Sequence, residues 1–303
     1  MIRIDEFVKY HINGDGECNN VVLKAWSDKH CQNTQDKFDL AYFFAVSYCI
    51  ASAIVLFANR DKILANCVDF ARENKSRLVF QSDRKYIRMK DSFEKCLKQF
   101  PRVRDLKAFR WYAYDGDTLS LKKAIPYVSG WDLFGRFSAF LFLETYAELT
   151  GDKFENTTIV WKDGNTATSG LMHVFGFDDA AAAFDKTGKL LVEPHRLDEM
   201  LFLLQDAIKR AGGNTNVTEI ETSLCAYRKF FKASRYNGFY LDRMLEELYA
   251  MQADYPLVCE EVFNLRREQF DQRVLGEVMG WRGIRRELKK YYLSTGQVNY
   301  DVV

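Results

Sequence analysis

Apolar residues recur at helical spacing along most of this 303-residue chain. In the first twelve residues they follow one another at intervals close to one helical turn, which is typical of an amphipathic helix. The same spacing predicts further helices at 19–31, 36–59, 61–74, 83–100, 104–112, 131–151, 195–211, 216–234, 238–253, 259–270 and 277–294. Strand candidates are short, at 78–81 and 157–161, and no βαβ alternation is present. We therefore predict a mainly α fold: a multi-helix globular body with an irregular Gly-rich middle at 113–176 and at most a few short strands.

The segment 38–58 raises the question of a membrane span. Its 21 residues contain a single charged side chain, Asp39, and about 20 apolar residues suffice to cross a bilayer. Tyr42 and Ser47 lower its hydrophobicity, and the flanking charges show no bias between its two ends. We predict a buried central helix rather than a membrane span, so no membrane partner is expected.

The composition, with 48% hydrophobic and 28% charged residues, excludes a disordered or low-complexity chain. We predict one helical catalytic body over 1–303, with a subdivision near 115–130 as the alternative. The seven Cys form no CxxC pair, which predicts reduced thiols. Since the first residues also lack the pattern of an export signal, we expect a cytoplasmic protein.

The formal net charge is only +1, but the charges are unevenly distributed. The segment 72–110 contains thirteen Lys or Arg against five Asp or Glu, interleaved with aromatic residues. Because basic groups neutralise phosphates and rings stack on bases, this pattern predicts a DNA-contact segment. Solvated helix faces with inward rings are the alternative. A second basic stretch lies at 266–290. The predicted DNA contacts are Arg84, Lys85, Arg88, Arg102, Arg104, Arg110, Arg282 and Arg285.

Specific enzyme signatures are missing from the sequence. It contains no Walker A motif, no GxGxxG, no GxSxG, no HExxH and no zinc deaminase motif set. Candidate chemistry therefore has to be sought where polar residues interrupt apolar segments, since buried charges are costly unless they are paired or used.

The first such place is the segment 129–144, where Asp132, Arg136 and Glu144 interrupt an aromatic-rich helical pattern. Steps of four and eight residues would place the three on one helix face. Arg136 could bind a phosphate or a carboxylate through two guanidinium nitrogens, and Glu144 could act as a base or a Mg²⁺ ligand. A structural Asp132–Arg136 ion pair is the alternative.

Two further segments combine polar residues with turn signals. In 161–170, Gly, Asn, Thr and Ser before a helix offer N–H and hydroxyl donors to an anion, although an ordinary capped turn has the same composition. In 235–242, a glycine separates two helices, and a plain helix–helix turn is the alternative. The candidate residues are Thr168, Ser169, Gly170 and the nearby His173, which could equally be a packed histidine, together with Arg235, Tyr236 and Asp242.

Four segments, taken in order along the chain, resemble those of one family. They read DLAYFFAVSYCIASAIVLF at 39–57, WDLFGRFSAFLFLE at 131–144, TSGLMHVFG at 168–176 and RYNGFYLDR at 235–243. With these segments the sequence resembles the phage amino acid:DNA transferases, also called α-glutamyl/putrescinyl thymine pyrophosphorylases. The likeness extends over residues 36–255.

The resemblance implies hypermodification of thymine in phage DNA, in the cytoplasm of an infected bacterium. It implies two substrates. One is double-stranded DNA containing 5-pyrophosphoryloxymethyl-deoxyuridine, a pyrophosphorylated hydroxymethyluracil nucleotide. The other is a free amino acid or putrescine, whose amine displaces pyrophosphate from the exocyclic methylene.

Such a reaction needs groups that neutralise the leaving pyrophosphate and a base that deprotonates the amine. The predicted residues are Arg136 or Arg235 for the anions, Asp132 or Glu144 as base or metal ligand, and Trp131 or Trp161 for stacking on the flipped base. No cofactor motif is present, and Mg²⁺ is the one candidate. The alternatives are a non-catalytic helical DNA-binding protein and a glycosylase-like enzyme acting on modified bases.

Overall fold

The structure is a computed structural model, and it confirms a mainly α fold. It describes residues 2–13, 18–80, 92–154, 165–177, 183–185, 189–231 and 239–270, with positions 287, 290, 294 and 295. These residues form fourteen helices and one two-stranded sheet. The helices are α1 (Ile4–Asn13), α2 (Cys18–His30), α3 (Thr34–Ser47), α4 (Ile50–Ala58), α5 (Arg60–Asn74), α6 (Phe93–Val103), α7 (Leu106–Ala113), α8 (Leu121–Ser129), α9 (Arg136–Thr150), α10 (Asn165–Val174), α11 (Pro194–Arg210), α12 (Val217–Phe231), α13 (Phe239–Met251) and α14 (Pro256–Gln269).

The chain divides into two compact units. The larger unit comprises Asn19–Thr157 and Arg243–Asp271. The smaller unit comprises Met1–Cys18, Thr158–Asp242 and Gln272–Val303. The organisation as one catalytic body, predicted from the sequence, stays a prediction.

The core of the larger unit is built from aromatic rings on α3 and α9. Phe38 of α3 is fully buried, and four rings surround it at centroid distances of 5.1 to 6.1 Å. These rings belong to Phe109, Trp131, Phe142 and Tyr146. Most of the pairs meet edge to face, the arrangement that the ring quadrupole favours. The apolar pattern at 36–59 and 131–151 therefore forms the centre of this unit.

The prediction of one continuous helix over 36–59 is wrong. Tyr48 adopts left-handed backbone angles with φ of 50° and ends α3, while its N–H donates to the Phe44 carbonyl at 2.6 Å. Cys49 is extended, and α4 begins at Ile50. Both helices are buried along almost their whole length. Among the described helices, none is long and apolar enough to cross a bilayer.

A buried ion pair joins α3 to the end of α6. Asp39 is completely buried, and its carboxylate accepts hydrogen bonds from Arg104 Nε at 3.2 Å and Nη2 at 2.6 Å. Gln35 Nε2 donates to the same carboxylate at 2.8 Å. Burial raises the pKa of Asp39, and the hydrogen bonds from Gln35 and Arg104 offset part of that rise. A carboxylate that is buried away from water needs such partners. The Asp39–Arg104 pair therefore holds α3 against the end of α6.

Other predicted boundaries shift for local reasons. Pro101 follows the predicted helix 83–100, yet it lies within the last turn of α6. The break comes at Asp105, whose carboxylate accepts hydrogen bonds from the Lys107 and Ala108 N–H groups and caps α7. Gly151, with φ of 78°, ends α9 as predicted.

The Gly-rich middle is more regular than predicted where the structure describes it. It contains α8, α9, α10 and an antiparallel hairpin of β1 (Tyr114–Asp115) and β2 (Thr118–Leu119). Gly116 has a φ of 57° in the hairpin turn, a conformation that favours glycine. Residues 78–80 do not form the predicted strand. The other strand candidate, 157–161, lies outside the described residues.

The smaller unit packs α1, α10, α11 and α12 around a separate apolar cluster that includes Phe7, Leu171 and Tyr227. His11 ties the end of α1 to this unit. Its Nε2 donates to the Asn214 carbonyl at 2.8 Å, and its Nδ1 accepts from the Ser223 hydroxyl at 2.8 Å. Burial lowers the pKa of His11, in keeping with a neutral ring in these two hydrogen bonds.

We expect Arg104→Met to lower the free energy of unfolding by about 3–5 kcal/mol at neutral pH, because it leaves a buried carboxylate without its charged partner. Loss of Arg104 raises the already raised pKa of Asp39 further. The folded variant therefore binds a proton more tightly than the unfolded chain, and the deficit should shrink as the pH falls through that pKa.

Urea denaturation at several pH values measures this deficit. Arg102→Met is the matched control, because Arg102 pairs with Asp132 in an exposed bridge of 3.3 Å and should cost less than about 1 kcal/mol. Equal effects of the two substitutions would contradict the structural role of Arg104.

Candidate functional site

The candidate site in the larger unit is built at the start of α9. The helix begins at Arg136, with Gly135 as its N-terminal cap. Asp132 therefore precedes the helix, and the expectation that Asp132 and Arg136 share a helix face is wrong. The turn between α8 and α9 includes Leu133 at a φ of 66°, and this reversal ends the helical periodicity before Arg136. The Asp132 carboxylate instead pairs with Arg102, at 3.3 Å.

A buried glutamine holds this turn. Gln99 of α6 donates from Nε2 to the Asp132 carbonyl at 2.7 Å, and its Oε1 accepts from the Asp132 N–H at 2.7 Å. Gln99 is itself buried, so both of its amide groups are used in fixing the backbone that leads into α9. Sequence reasoning missed this residue, because a single Gln in an amphipathic helix carries no signal of a partner 33 residues away.

Arg136 and Glu144 lie on the same helix but not beside each other. Their separation corresponds to a rise of about 12 Å and a rotation of about 80° around the axis. Arg136 is half-buried in the first turn, where N–H groups and the helix dipole favour an anion. Glu144 is buried in the middle of the helix. The two side chains can therefore serve opposite ends of a substrate rather than a single group.

A buried polar contact lies next to Glu144. The Thr145 hydroxyl donates to Asn20 Oδ1 at 2.9 Å, and both side chains are buried. Asn19, the residue before Asn20, is buried as well. The start of α2 thus brings a buried amide group against α9 at Thr145, the residue after Glu144. The Asn-Asn pair near the start of a helix resembles an ordinary cap in sequence and was not singled out.

Trp131 lies inside the aromatic core of the larger unit. Its ring is surrounded by five others at centroid distances of 5.0 to 6.1 Å. They belong to Phe38, Tyr42, Tyr127, Phe134 and Phe142. With 7% of its surface exposed, Trp131 serves first as a packing residue. Its stacking on a flipped base stays a prediction.

In the smaller unit, Thr168, Ser169 and Gly170 are not in a loop. All three are buried within α10. Small side chains there let α10 approach α12 closely: a Cβ added at Gly170 would lie 2.2 Å from the Leu224 carbonyl oxygen. The prediction that a loop of anion donors extends to Gly170 is wrong, because Ala-Thr-Ser-Gly at 167–170 lies within α10 and forms a helix contact. Positions 161–164 lie outside the described residues. A role of these residues in substrate binding stays a prediction.

The remaining candidates are placed separately or lie outside the described residues. His173 is half-buried in the last turn of α10, and Asp242 is buried in the first turn of α13. Both belong to the smaller unit, whereas the α9 residues belong to the larger one. The candidates outside the described residues are Trp161, Arg235, Tyr236, Arg84, Lys85, Arg88, Arg282 and Arg285.

Three predicted DNA contacts are described, and they differ in their surroundings. Arg104 is half-buried and bound to the buried Asp39 carboxylate, so we assign it a structural role. Arg102 is largely exposed and bridges to Asp132. Arg110 is exposed on α7, with its guanidinium carbon 5.9 Å from the centre of the Tyr114 ring. The exposed side chains of Arg102 and Arg110 can contact the phosphates of a bound DNA. Arg104 could do so only by breaking its ion pair with the buried Asp39 carboxylate.

The thiols do not form a reactive centre in the described structure. All seven cysteines are free, and burial raises the pKa of Cys96 to about 12 and that of Cys259 to about 11. Nucleophilic cysteines have lowered pKa values, so Cys96 and Cys259 are packing residues. Within the described ranges, no three His, Cys, Asp or Glu side chains are grouped as a metal site. The role of Glu144 as a Mg²⁺ ligand stays a prediction.

Comparison with known families decides the assignment. Residues 25–236, more than half of the chain, match the family described as amino acid:DNA transferase. The chain belongs to the amino acid:DNA transferase family. The matched range contains α3 to α12 entire, and with them every candidate residue except Asp242, Arg282 and Arg285. No curated protein and no solved structure matches the chain.

Membership of the amino acid:DNA transferases defines the activity in outline. The chain is a transferase that modifies DNA, and its substrates are DNA and an amino acid. The resemblance to this family is thereby confirmed. Three of the four segments lie within the matched range, and the fourth, 235–243, extends beyond its end at 236. The start of α9, from Asp132 to Arg136, and the buried Glu144 lie inside the matched range and form the candidate site of this transferase.

We expect Gly170→Ala to lower the free energy of unfolding by more than about 1 kcal/mol, because the added methyl group meets the Leu224 backbone. Helix propensity alone would give the opposite sign, a stabilisation of about 1 kcal/mol. Gly135→Ala is the control, since a Cβ there has no neighbour within 4 Å. Urea denaturation of wild type, Gly170→Ala and Gly135→Ala distinguishes a steric clash from a gain in helix propensity. A Gly170→Ala protein as stable as wild type would contradict the close helix contact.

Proposed function

We propose that this transferase attaches an amino acid to 5-pyrophosphoryloxymethyl-deoxyuridine in double-stranded phage DNA and releases pyrophosphate. The observation that carries the proposal is the family match over 25–236. It supplies DNA and an amino acid as the two substrates. The pyrophosphorylated base follows from the likeness of the four segments, above all of 131–144.

The proposed reaction is a displacement at the exocyclic methylene carbon. The nitrogen of the neutral amine forms the new C–N bond, and the bond between the methylene carbon and the bridging oxygen breaks. Pyrophosphate leaves with the electron pair, and one proton of the attacking nitrogen goes to a base. A displacement of this kind needs anion-binding groups on the leaving side and a proton acceptor on the attacking side.

Arg136 is suited to the leaving side. It begins α9, where the guanidinium, the first-turn N–H groups and the helix dipole all favour negative charge. The turn that positions it is fixed by the two hydrogen bonds between Gln99 and Asp132. Groups held in place before the reaction stabilise developing charge without reorganisation, so a fixed turn supports this role.

Glu144 is suited to the attacking side. Its carboxyl group is buried, and it lies about 12 Å along α9 from Arg136, which matches a base and an anion ligand at opposite ends of one substrate. Asp132, exposed and paired with Arg102, has less support as the base. His173 and Asp242 remain candidates within the smaller unit.

The reaction is tested by incubating the protein with duplex DNA that carries 5-pyrophosphoryloxymethyl-uracil and a mixture of amino acids. We expect pyrophosphate release together with a mass gain on the modified nucleoside, and the mass names the donor. A parallel reaction with putrescine alone tests whether a polyamine replaces the amino acid. Unmodified DNA that is still bound would support a non-catalytic binding protein, and abasic sites would support a glycosylase.

Two substitutions on α9 test the proposed roles. Arg136→Gln should lower kcat by about 10²–10³-fold, because it removes a preorganised donor to the leaving group. Glu144→Gln should lower kcat by about 10²–10⁴-fold, because an amide cannot accept the amine proton. Both are measured by pyrophosphate release at saturating DNA and donor.

The controls carry the same chemical changes at positions without a proposed role. Arg210→Gln alters an exposed arginine of α11, and Glu247→Gln alters a buried glutamate of α13. Both should keep wild-type kcat. If Arg136→Gln or Glu144→Gln also turns over at the wild-type rate, the corresponding role is excluded.

A further inference from the structure

The outward face of α7 combines two cationic side chains with two exposed rings. Lys107 and Arg110 are exposed, and Trp111 and Tyr112 show 81% and 54% of their surface to solvent. Trp111 is the most exposed of the large apolar side chains in the described structure. Its ring takes part in no hydrogen bond or ring contact with another described residue. Burying an indole is favourable, so a ring in this position gains free energy when a partner covers it.

The surroundings of Trp111 set it apart from other exposed rings. Lys107 lies one turn before it on the same stripe of α7, with about 5–6 Å between Cβ atoms. The acidic groups closest in sequence are Asp115, whose carboxylate pairs with Lys123, and Asp105, whose carboxylate caps the helix. By contrast, Phe202 on α11 is 70% exposed, but Asp198, Glu199 and Asp206 occupy the neighbouring helical positions. Trp111 instead has the basic residues Lys107 and Arg110 beside it on α7.

A row of rings connects this face to the candidate site. Tyr112 stacks on Tyr127 of α8 at 5.0 Å, with 15° between the planes. Tyr127 in turn meets Trp131 edge to face at 6.1 Å. Trp131 immediately precedes Asp132 and the turn that begins α9. The α7 face and the start of α9 therefore belong to one packed assembly within the larger unit.

We propose that the α7 face formed by Lys107, Arg110, Trp111 and Tyr112 docks the DNA substrate, with Trp111 stacked on a base and the two cations on flanking phosphates. The inference rests on the proposed function for its partner, DNA, and adds the surface and the ring that bind it. The Lys107 ammonium group can bind a phosphate while the neighbouring Trp111 ring stacks on a base. Every nucleotide offers both partners, since it carries a negative charge and a base with a π face.

The test measures binding of the full chain to duplex DNA by fluorescence anisotropy, using a duplex with one mismatched thymine. Trp111→Ala should weaken binding by roughly 5- to 100-fold, and Trp111→Phe should retain most of the affinity. The loss should be larger on the mismatched duplex than on a fully paired one, since an unpaired base is more easily displaced onto the ring. Lys107→Ala and Arg110→Ala should each reduce the slope of log K against log salt by about 1.

The matched controls are Phe202→Ala for the exposed ring and Lys209→Ala for the charge, both on α11 of the smaller unit. Neither should change affinity or salt slope. Wild-type affinity in Trp111→Ala, together with unchanged salt slopes in the two charge variants, would overturn the proposal. The proposal would also be overturned if Trp111→Ala and Phe202→Ala lowered the affinity for DNA by the same factor.

The docking surface and the proposed reaction can be disproved independently of each other. If wild type modifies the DNA and the α7 variants bind it normally, only the docking surface is wrong. If the α7 variants lose affinity and wild type releases no pyrophosphate with any donor, the docking surface stands and the proposed reaction is wrong. Trp111→Ala should raise the KM for DNA by a larger factor than it lowers kcat, because the ring contributes to binding.

Discussion

The larger unit depends on the packing of α3 against α9 through aromatic rings. Phe38 lies at the centre of this contact and touches rings from α7, from α9 and from the turn before α9. Each well-oriented ring pair adds about 0.5–1.5 kcal/mol beyond its buried area, so the cluster as a whole outweighs any single polar contact. Because Trp131 is part of it, the cluster also fixes the turn that leads to Arg136. The candidate site is therefore held rigid by the packing of Trp131 in the aromatic core.

Most helices could be predicted from the spacing of apolar residues, because one buried face per helix leaves a periodic signal. The breaks could not. Tyr48 ends α3 in a left-handed conformation that costs about 1–2 kcal/mol for a residue other than glycine, and no glycine, proline or asparagine marks the position. Likewise, α10 contains Ala-Thr-Ser-Gly, a composition that suits a loop, and only its contact with Leu224 explains the helix. In both places tertiary packing overrides local preference.

The candidate site was predictable in part, as residue types rather than as geometry. Arg136 and Glu144 stand out in the sequence because they interrupt an apolar helix, but the start of that helix decides that Asp132 is not beside them. Gln99 carried no signal, because its partner is a backbone 33 residues away. In the basic segment 72–110, the number of charged residues is visible in the sequence, but which of them have a buried partner is not. Arg104 has a buried partner, whereas Arg110 is exposed on α7 and also interacts with the buried Tyr146.

The central claim, displacement of pyrophosphate by an amine at carbon, is tested most directly with isotopes. The DNA would carry ¹⁸O at the bridge between the methylene carbon and the first phosphate, and the amino acids would carry ¹⁵N. The account predicts ¹⁵N in the modified nucleoside and ¹⁸O in the released pyrophosphate, both read by mass spectrometry. A nucleoside that keeps ¹⁸O and gains no ¹⁵N would mean cleavage at phosphorus by water, and that result would contradict the account.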